Sequence, residues 1–97
     1  MTDTERDGLR AAVEALHNCT ATFSGAEVCN AGVDEPEFAR EVATFALSGH
    51  PTAPLAYAWS DVREQRTQYR VVLHSGGVTS ASDALRGFFL FHRDTPP

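Results

Sequence analysis

The sequence predicts an α+β fold in which an N-terminal helix, an antiparallel meander of three or four strands and a C-terminal helix follow one another. The first observation is helical periodicity of apolar residues at both ends of the chain. The second lies between Glu41 and His74, where turn-forming segments separate three apolar runs: Val42–Leu47, Leu55–Trp59 and Tyr69–Leu73. A chain of 97 residues is expected to form one domain, with the last helix packed on one face of the sheet and residues 94–97 frayed.

The first helix is predicted over Thr2–His17. Leu9, Val13 and Leu16 recur at spacings that place them on one face of a helix. Thr2 and Glu5 have the spacing of a capping box, which satisfies free amides at a helix start. Gly8 is a weak point, costing about 1 kcal/mol relative to alanine.

The segment from Cys19 to Val33 has a less regular pattern. Apolar and threonine residues alternate at its start, which favours a short strand near residues 20–23. The rest of the segment is compatible with either a hairpin or an irregular loop.

The segment from Asp34 to Gly49 is compatible with two structures. A helix is favoured by local signals: a potential N-cap at Asp34, a glycine stop at Gly49 and an apolar stripe of Phe38, Val42 and Phe45. A strand is favoured by β-branched residues and by the Gly49-His50-Pro51 turn, which leads directly into the next apolar run.

Two patterns within this part of the chain resemble a group of small bacterial proteins of unknown activity. They are E-V-x-x-F-x-L-x-G-H-P-x-A, beginning at Glu41, and Y-A-W-S, beginning at Tyr57. The resemblance covers about Glu41 to Leu85 and implies an extended segment followed by a hairpin. Glu41–Leu47 is therefore predicted to be a strand. The resemblance implies no activity, cofactor or catalytic residue.

The second hairpin is expected to have a polar loop from Ser60 to Gln68. Ser75-Gly76-Gly77 then ends the third predicted strand, and Thr79 or Ser80 caps a final helix. The run Phe88–Phe91 puts apolar bulk on more than one face of this helix, so Phe88, Phe89 and Phe91 are candidates for a self-association surface. Coverage by the Cys19–Val33 segment is the alternative.

Charge and hydropathy exclude several classes of function. The net charge is −5, which argues against unspecific binding to nucleic acids or anionic lipids. No apolar run approaches the ~20 residues of a membrane-spanning helix, and no signal peptide is recognisable at Met1. The expectation is a cytoplasmic protein.

Cysteine and histidine residues offer weak candidates for chemistry. Cys19 and Cys29 are expected to be free thiols, with a disulfide between them as the alternative. A metal site would have to combine ligands that lack compact spacing: His17, Cys19, Cys29, His50 and His74. No catalytic set, metal or cofactor is predicted.

The remaining candidates lie on the predicted meander. The second hairpin carries Arg63, Arg66 and Arg70. If Arg66, Gln68 and Arg70 share a face, they form a small cationic strip able to bind an anion or, weakly, a nucleic acid. Tyr57 and Trp59 would share a face of the middle strand, either in the core or as the centre of a binding surface. The leading hypothesis is a non-enzymatic interaction or regulatory module that self-associates, most simply as a dimer.

Overall fold

The structure is a computed structural model that describes residues 1–30 and 39–93, with the side chains of Arg63 and of residues 89–93 outside that description. In chain order the elements are α1 (Asp3–His17), β1 (Thr20–Asn30), β2 (Ala39–Ser48), β3 (Leu55–Arg63), β4 (Arg66–Leu73) and α2 (Ala81–Arg93). The strands form one four-stranded antiparallel sheet in the order β1-β2-β3-β4. The predicted α+β fold is confirmed, with four strands in the meander.

The two helices cover opposite faces of this sheet. Leu9 and Val13 of α1 pack on a cluster that includes Phe45, Ala56 and Ala58. On the other face, the α2 residues Ala81, Ala84 and Leu85 pack on Val42, Tyr57 and Trp59. The fold therefore has three layers, and neighbouring residues of β2 and β3 are buried on different sides.

Burial on both faces explains why β2 could be mistaken for a helix. Val42 packs on the α2 side and Phe45 on the α1 side, so residues three apart are both buried without sharing a face. A strand covered on both sides loses the alternation of apolar and polar residues. The strand prediction for Glu41–Leu47 is confirmed, the helical alternative is wrong for residues 39–48, and the residues at 34–38 lie outside the described part.

Strand β1 is longer than the short strand predicted near residues 20–23. It runs for 11 residues and contains a register shift between Phe23 and Gly25. Phe23 belongs to the α1-side cluster, whereas Cys29 belongs to the α2-side cluster. Odd-numbered residues before the bulge therefore face α1, and odd-numbered residues after it face α2. For this reason apolar residues do not alternate with one constant period of two along the strand.

Gly8 has a packing role that the sequence did not indicate. A Cβ atom at Gly8 would lie 2.5 Å from Tyr69 Oη of β4. The missing side chain lets the tyrosine ring lie against the helix. Glycine therefore costs helix propensity but permits a close contact between α1 and β4.

Both helix starts are capped by side chains. Thr2 Oγ1 accepts a hydrogen bond from the Glu5 amide at 3.1 Å, which confirms the Thr2 half of the predicted capping box, whereas Glu5 Oε1 accepts from the Ser60 hydroxyl at 3.2 Å. At α2, Ser80 Oγ accepts from the Asp83 amide at 3.1 Å. Asp83 Oδ2 accepts from the Thr79 hydroxyl at 2.9 Å, and this bond, with one from the Thr79 amide, lowers the pKa of the Asp83 carboxyl.

The predicted polar loop at 60–68 is wrong. Strands β3 and β4 continue to Arg63 and Arg66, which pair directly, so the connection consists only of Glu64 and Gln65. Both residues have positive φ values, 51° and 65° respectively, as the mirror-image turn of a tight hairpin requires. The polar residues belong to paired strands instead.

Candidate functional site

The most polar part of the α2-covered face is a cluster of Arg40, Asp61 and Arg70, here called the arginine–aspartate cluster. Asp61 is 7% exposed, and its Oδ1 accepts a hydrogen bond from Arg40 Nε at 2.6 Å. Its Oδ2 forms an ion pair with Arg70 Nε at 3.5 Å. One carboxylate therefore serves two guanidinium groups, and the cluster carries an excess positive charge.

The sheet register brings these residues together. Arg40 is the second residue of β2 and pairs with Cys29, Asp61 pairs with Gln68, and Arg70 pairs with Trp59. Alternation along β4 puts Arg66, Gln68 and Arg70 on the same face. Arg70 Nη2 donates to Gln68 Oε1 at 2.5 Å.

The predicted arginine strip thus lies on the α2-covered face of β4, which is an edge strand of the sheet. Arg66 is exposed, while the Arg70 side chain is half-buried. Arg63 pairs with Arg66 in the backbone register, and its side chain lies outside the described set. Arg70 belongs to both the strip and the arginine–aspartate cluster.

The aromatic residues of β3 form part of the core. Trp59 is fully buried, Tyr57 is 3% exposed, and both contact the cluster under α2. The alternative in which they form an exposed binding surface is therefore wrong. Phe88 meets Trp59 edge-on with ring centroids 5.3 Å apart, and the Arg70 guanidinium lies 5.2 Å from the Phe88 centroid. The side chains of Phe89 and Phe91 are outside the described set.

Tyr57 and His74 form a polar contact within this layer. Tyr57 Oη lies 2.6 Å from His74 Nδ1, which joins β3 to the residue that follows β4. Burial raises the pKa of the Tyr57 phenol, with smaller contributions from the carboxylates of Asp83 and Glu27. The raised pKa disfavours the phenolate, and the contact links β3 to the end of β4.

The two cysteines are free and far apart along one strand. Cys19 precedes β1 and Cys29 lies near its end, so at about 3.3 Å per residue they are separated by roughly 30 Å. A disulfide needs Cα atoms roughly 4–7 Å apart, which excludes a bond between them within one chain. Burial raises the pKa of the Cys29 thiol, which disfavours the reactive thiolate.

His17 and His50 meet where α1 ends against the β2–β3 connection. Their ring centroids lie 5.6 Å apart. His50 Nδ1 accepts hydrogen bonds from the amides of Thr52 at 3.2 Å and Ala53 at 2.9 Å. In a neutral ring the proton therefore sits on Nε2, and neither nitrogen offers a lone pair to a metal.

The metal ligands that the sequence offered do not assemble in the part of the chain that the structure describes. His74 is bound to Tyr57, Cys29 lies at the opposite end of β1 from Cys19, and His17 faces His50. Within the described residues, no three histidine, cysteine or acidic side chains form a group able to hold a metal ion. The same residues include no helix with the length and hydropathy needed to cross a membrane.

Arg40 and Asp61 are the cluster members that sequence reasoning missed. The sequence places Asp61 in the predicted polar loop from Ser60 to Gln68, and Arg40 in the segment that is compatible with either a helix or a strand. The signal in the sequence is a charged residue at an inward-facing position of β2, Arg40, and another in β3, Asp61. This signal can be recognised only when the pairing of β2 with β3 is known.

Comparisons with models of protein families, with curated proteins and with solved structures find no match to this chain.

Proposed function

We propose that this protein is a non-enzymatic interaction module that acts as a homodimer, in which β1 of one copy pairs with β1 of the other. The observation that carries the proposal is the position of β1. It is an 11-residue strand at one edge of the sheet, and its outer backbone groups face no other strand in the described part of the chain. Such an edge is a template for pairing with another strand.

The composition of β1 supports this role. Its sequence, TATFSGAEVCN, contains no proline and no basic residue, and Glu27 is its only charge. Val28 is 73% exposed. Proteins commonly protect edge strands with lysine, proline or inward-pointing charges, and β1 has only its bulge.

The other edge is less suited to self-pairing. Strand β4 carries Arg66 and Arg70 on one face, and two copies of this strand would bring like charges together. The charge distribution therefore favours β1 over β4 as the edge shared between identical copies.

Symmetry gives the simplest assembly. A twofold axis perpendicular to the sheet would pair the two β1 strands antiparallel and keep each helix type on its own side. The two four-stranded sheets would join into one sheet of 4 + 4 = 8 strands. The contact is closed, so it produces a dimer and not a fibre.

The proposal is tested with two valines of matched exposure. Val28 on the edge strand is 73% exposed, and Val62 on the inner strand β3 is 71% exposed. Val28→Lys places a charge at the proposed interface, opposite Glu41 of β2, whose carboxylate pairs with the N-terminal amine in the wild type. We expect its dimer dissociation constant to rise about tenfold or more, which corresponds to about 1.4 kcal/mol.

Molar mass by light scattering across a concentration series provides the measurement. The wild type and Val62→Lys should approach twice the chain mass of 10.5 kDa, whereas Val28→Lys should remain nearer to the monomer. A wild-type protein that stays monomeric at every concentration, or equal dissociation in both variants, would refute the β1 dimer.

A further inference from the structure

Two buried hydrogen-bond donors lie on the α2-covered face with no partner in the part of the chain that the structure describes. Trp59 Nε1 and Arg70 Nε are both buried, and no described residue accepts a hydrogen bond from either. Trp59 and Arg70 are direct cross-strand partners in β3 and β4. Buried donors in folded proteins are nearly always satisfied, so a pair of unsatisfied ones at one place requires an explanation.

The neighbouring carboxylate does not supply the missing acceptor. Asp61 Oδ2 lies 3.5 Å from Arg70 Nε, which makes an ion pair without a hydrogen bond, and Asp61 Oδ1 accepts from Arg40. Arg70 also donates through Nη2 to Gln68 and rests on the Phe88 ring. Its charge is therefore only partly balanced by the protein.

The group that would complete this arrangement is an acceptor with negative charge. An oxyanion, from either a carboxylate or a phosphate, accepts several hydrogen bonds and donates none or few. Arg66 extends the positive surface toward solvent on the same face of β4 and gives an approach to Arg70.

We propose that Trp59, Arg70 and Arg66 form a binding site for a small oxyanion, whose oxygen accepts hydrogen bonds from Arg70 Nε and Trp59 Nε1. Arg70 supplies the principal charge, and Arg66 supplies the second cation at the entrance. The site lies beside β4, at the opposite edge of the sheet from β1, so it goes beyond the proposed dimer and is independent of it.

Trp59 is the single tryptophan of the protein, so tryptophan emission reports on this site. The wild-type protein is titrated with sodium phosphate and, separately, with sodium acetate, while sodium chloride holds the ionic strength constant. We expect a saturable change in the emission of Trp59. If only the phosphate titration saturates, the site binds phosphate. If only the acetate titration saturates, it binds carboxylates, and if both saturate, it binds oxyanions in general.

Variants identify the residues that bind. Arg70→Gln should weaken binding about tenfold or more, since it removes a charge-assisted hydrogen bond, and Arg66→Gln should weaken it less. Arg10→Gln is the matched control, because Arg10 is exposed on α1, on the other face of the sheet, and its loss changes the net charge equally. Equal affinities for Arg70→Gln and Arg10→Gln would overturn the proposal.

A second measurement uses only the wild-type protein, so its result does not depend on whether a variant folds. The indole Nε1–H resonance of Trp59 is followed by NMR during the same titrations. A saturable downfield shift is expected, because the proton gains an acceptor. No shift beyond that produced by sodium chloride, together with unsaturable fluorescence, would show that no oxyanion binds there.

Discussion

At the scale of single residues, the environment of His17 favours its neutral form. Its Nε2 atom is buried with no hydrogen-bond partner among residues 1–30 and 39–93, and its ring contacts that of His50. Burial lowers the pKa of His17 below its ordinary value of 6.5, and the proximity of His50 lowers it further. The fold therefore favours the neutral ring.

This arrangement predicts a loss of stability in mild acid. Between the lowered pKa of folded His17 and the ordinary value of 6.5, the unfolded chain binds more protons than the folded chain. The free energy of unfolding should consequently fall as the pH drops from about 6.5. Urea unfolding at about pH 7.5 and about pH 5.5 measures the difference.

The variant His17→Gln provides the comparison, because glutamine does not titrate. Its free energy of unfolding should depend less on pH over this range than that of the wild type. The same pH dependence in both proteins would show that His17 does not cause it.

The roles of Thr2 and Gly8 differ in whether they can be predicted from the sequence. The capping role of Thr2 is local and was predictable from its spacing to Glu5. The reason for Gly8 is not local, because it depends on Tyr69, which is 61 positions further along the chain. A pattern within one helix cannot indicate which strand will lie against it.

At the scale of elements, the turn of the β3–β4 hairpin contains two residues in a left-handed backbone conformation, which lowers the stability of the folded protein. Glu64 and Gln65 have φ values of 51° and 65°. For residues other than glycine, asparagine or aspartate, this left-handed region costs about 1–2 kcal/mol per residue. The short turn requires it because its twist must match that of the strands.

Gln65→Gly should therefore stabilise the protein. We expect a gain of about 1 kcal/mol in the free energy of unfolding, since the relief of strain exceeds the added entropy of the unfolded chain. The midpoint of denaturant unfolding measures the effect. Thr67→Gly, at an exposed position within β4, is the control and should be destabilising. A loss of stability in both variants would contradict the strained turn.

The elements differ in how far the sequence predicts them. Helix α1 has one buried stripe and an N-cap, so it was predictable. Strand β2 is covered on both faces and β1 exchanges its faces at the bulge, so neither follows a simple period. Their assignment depends on tertiary packing, which overrides local propensity.

At the scale of the whole molecule, the three-layer arrangement determines which surfaces remain available for function. Helices α1 and α2 cover the two faces of the sheet, and the middle strands β2 and β3 are paired on both sides. The described sheet therefore offers its two edge strands to partners. Charge distinguishes them, with arginines on β4 and a single glutamate on β1.

The candidate oxyanion site emerges only at this scale. Arg40 and Asp61 are 21 positions apart, and Trp59 and Arg70 are brought together by the pairing of β3 with β4. The sequence predicted that the arginines of the hairpin could share a face. It could not predict the buried aspartate between Arg40 and Arg70 or the buried indole N–H, because both depend on strand register.

Hydrogen exchange of backbone amides at several protein concentrations tests the β1 dimer most directly. The outward-facing amides of β1 should exchange more slowly as concentration rises, while those on the outer edge of β4 should exchange at a constant rate. Exchange in β1 that does not change with concentration, or protection that increases at β4 instead, would contradict the pairing of β1 between two copies.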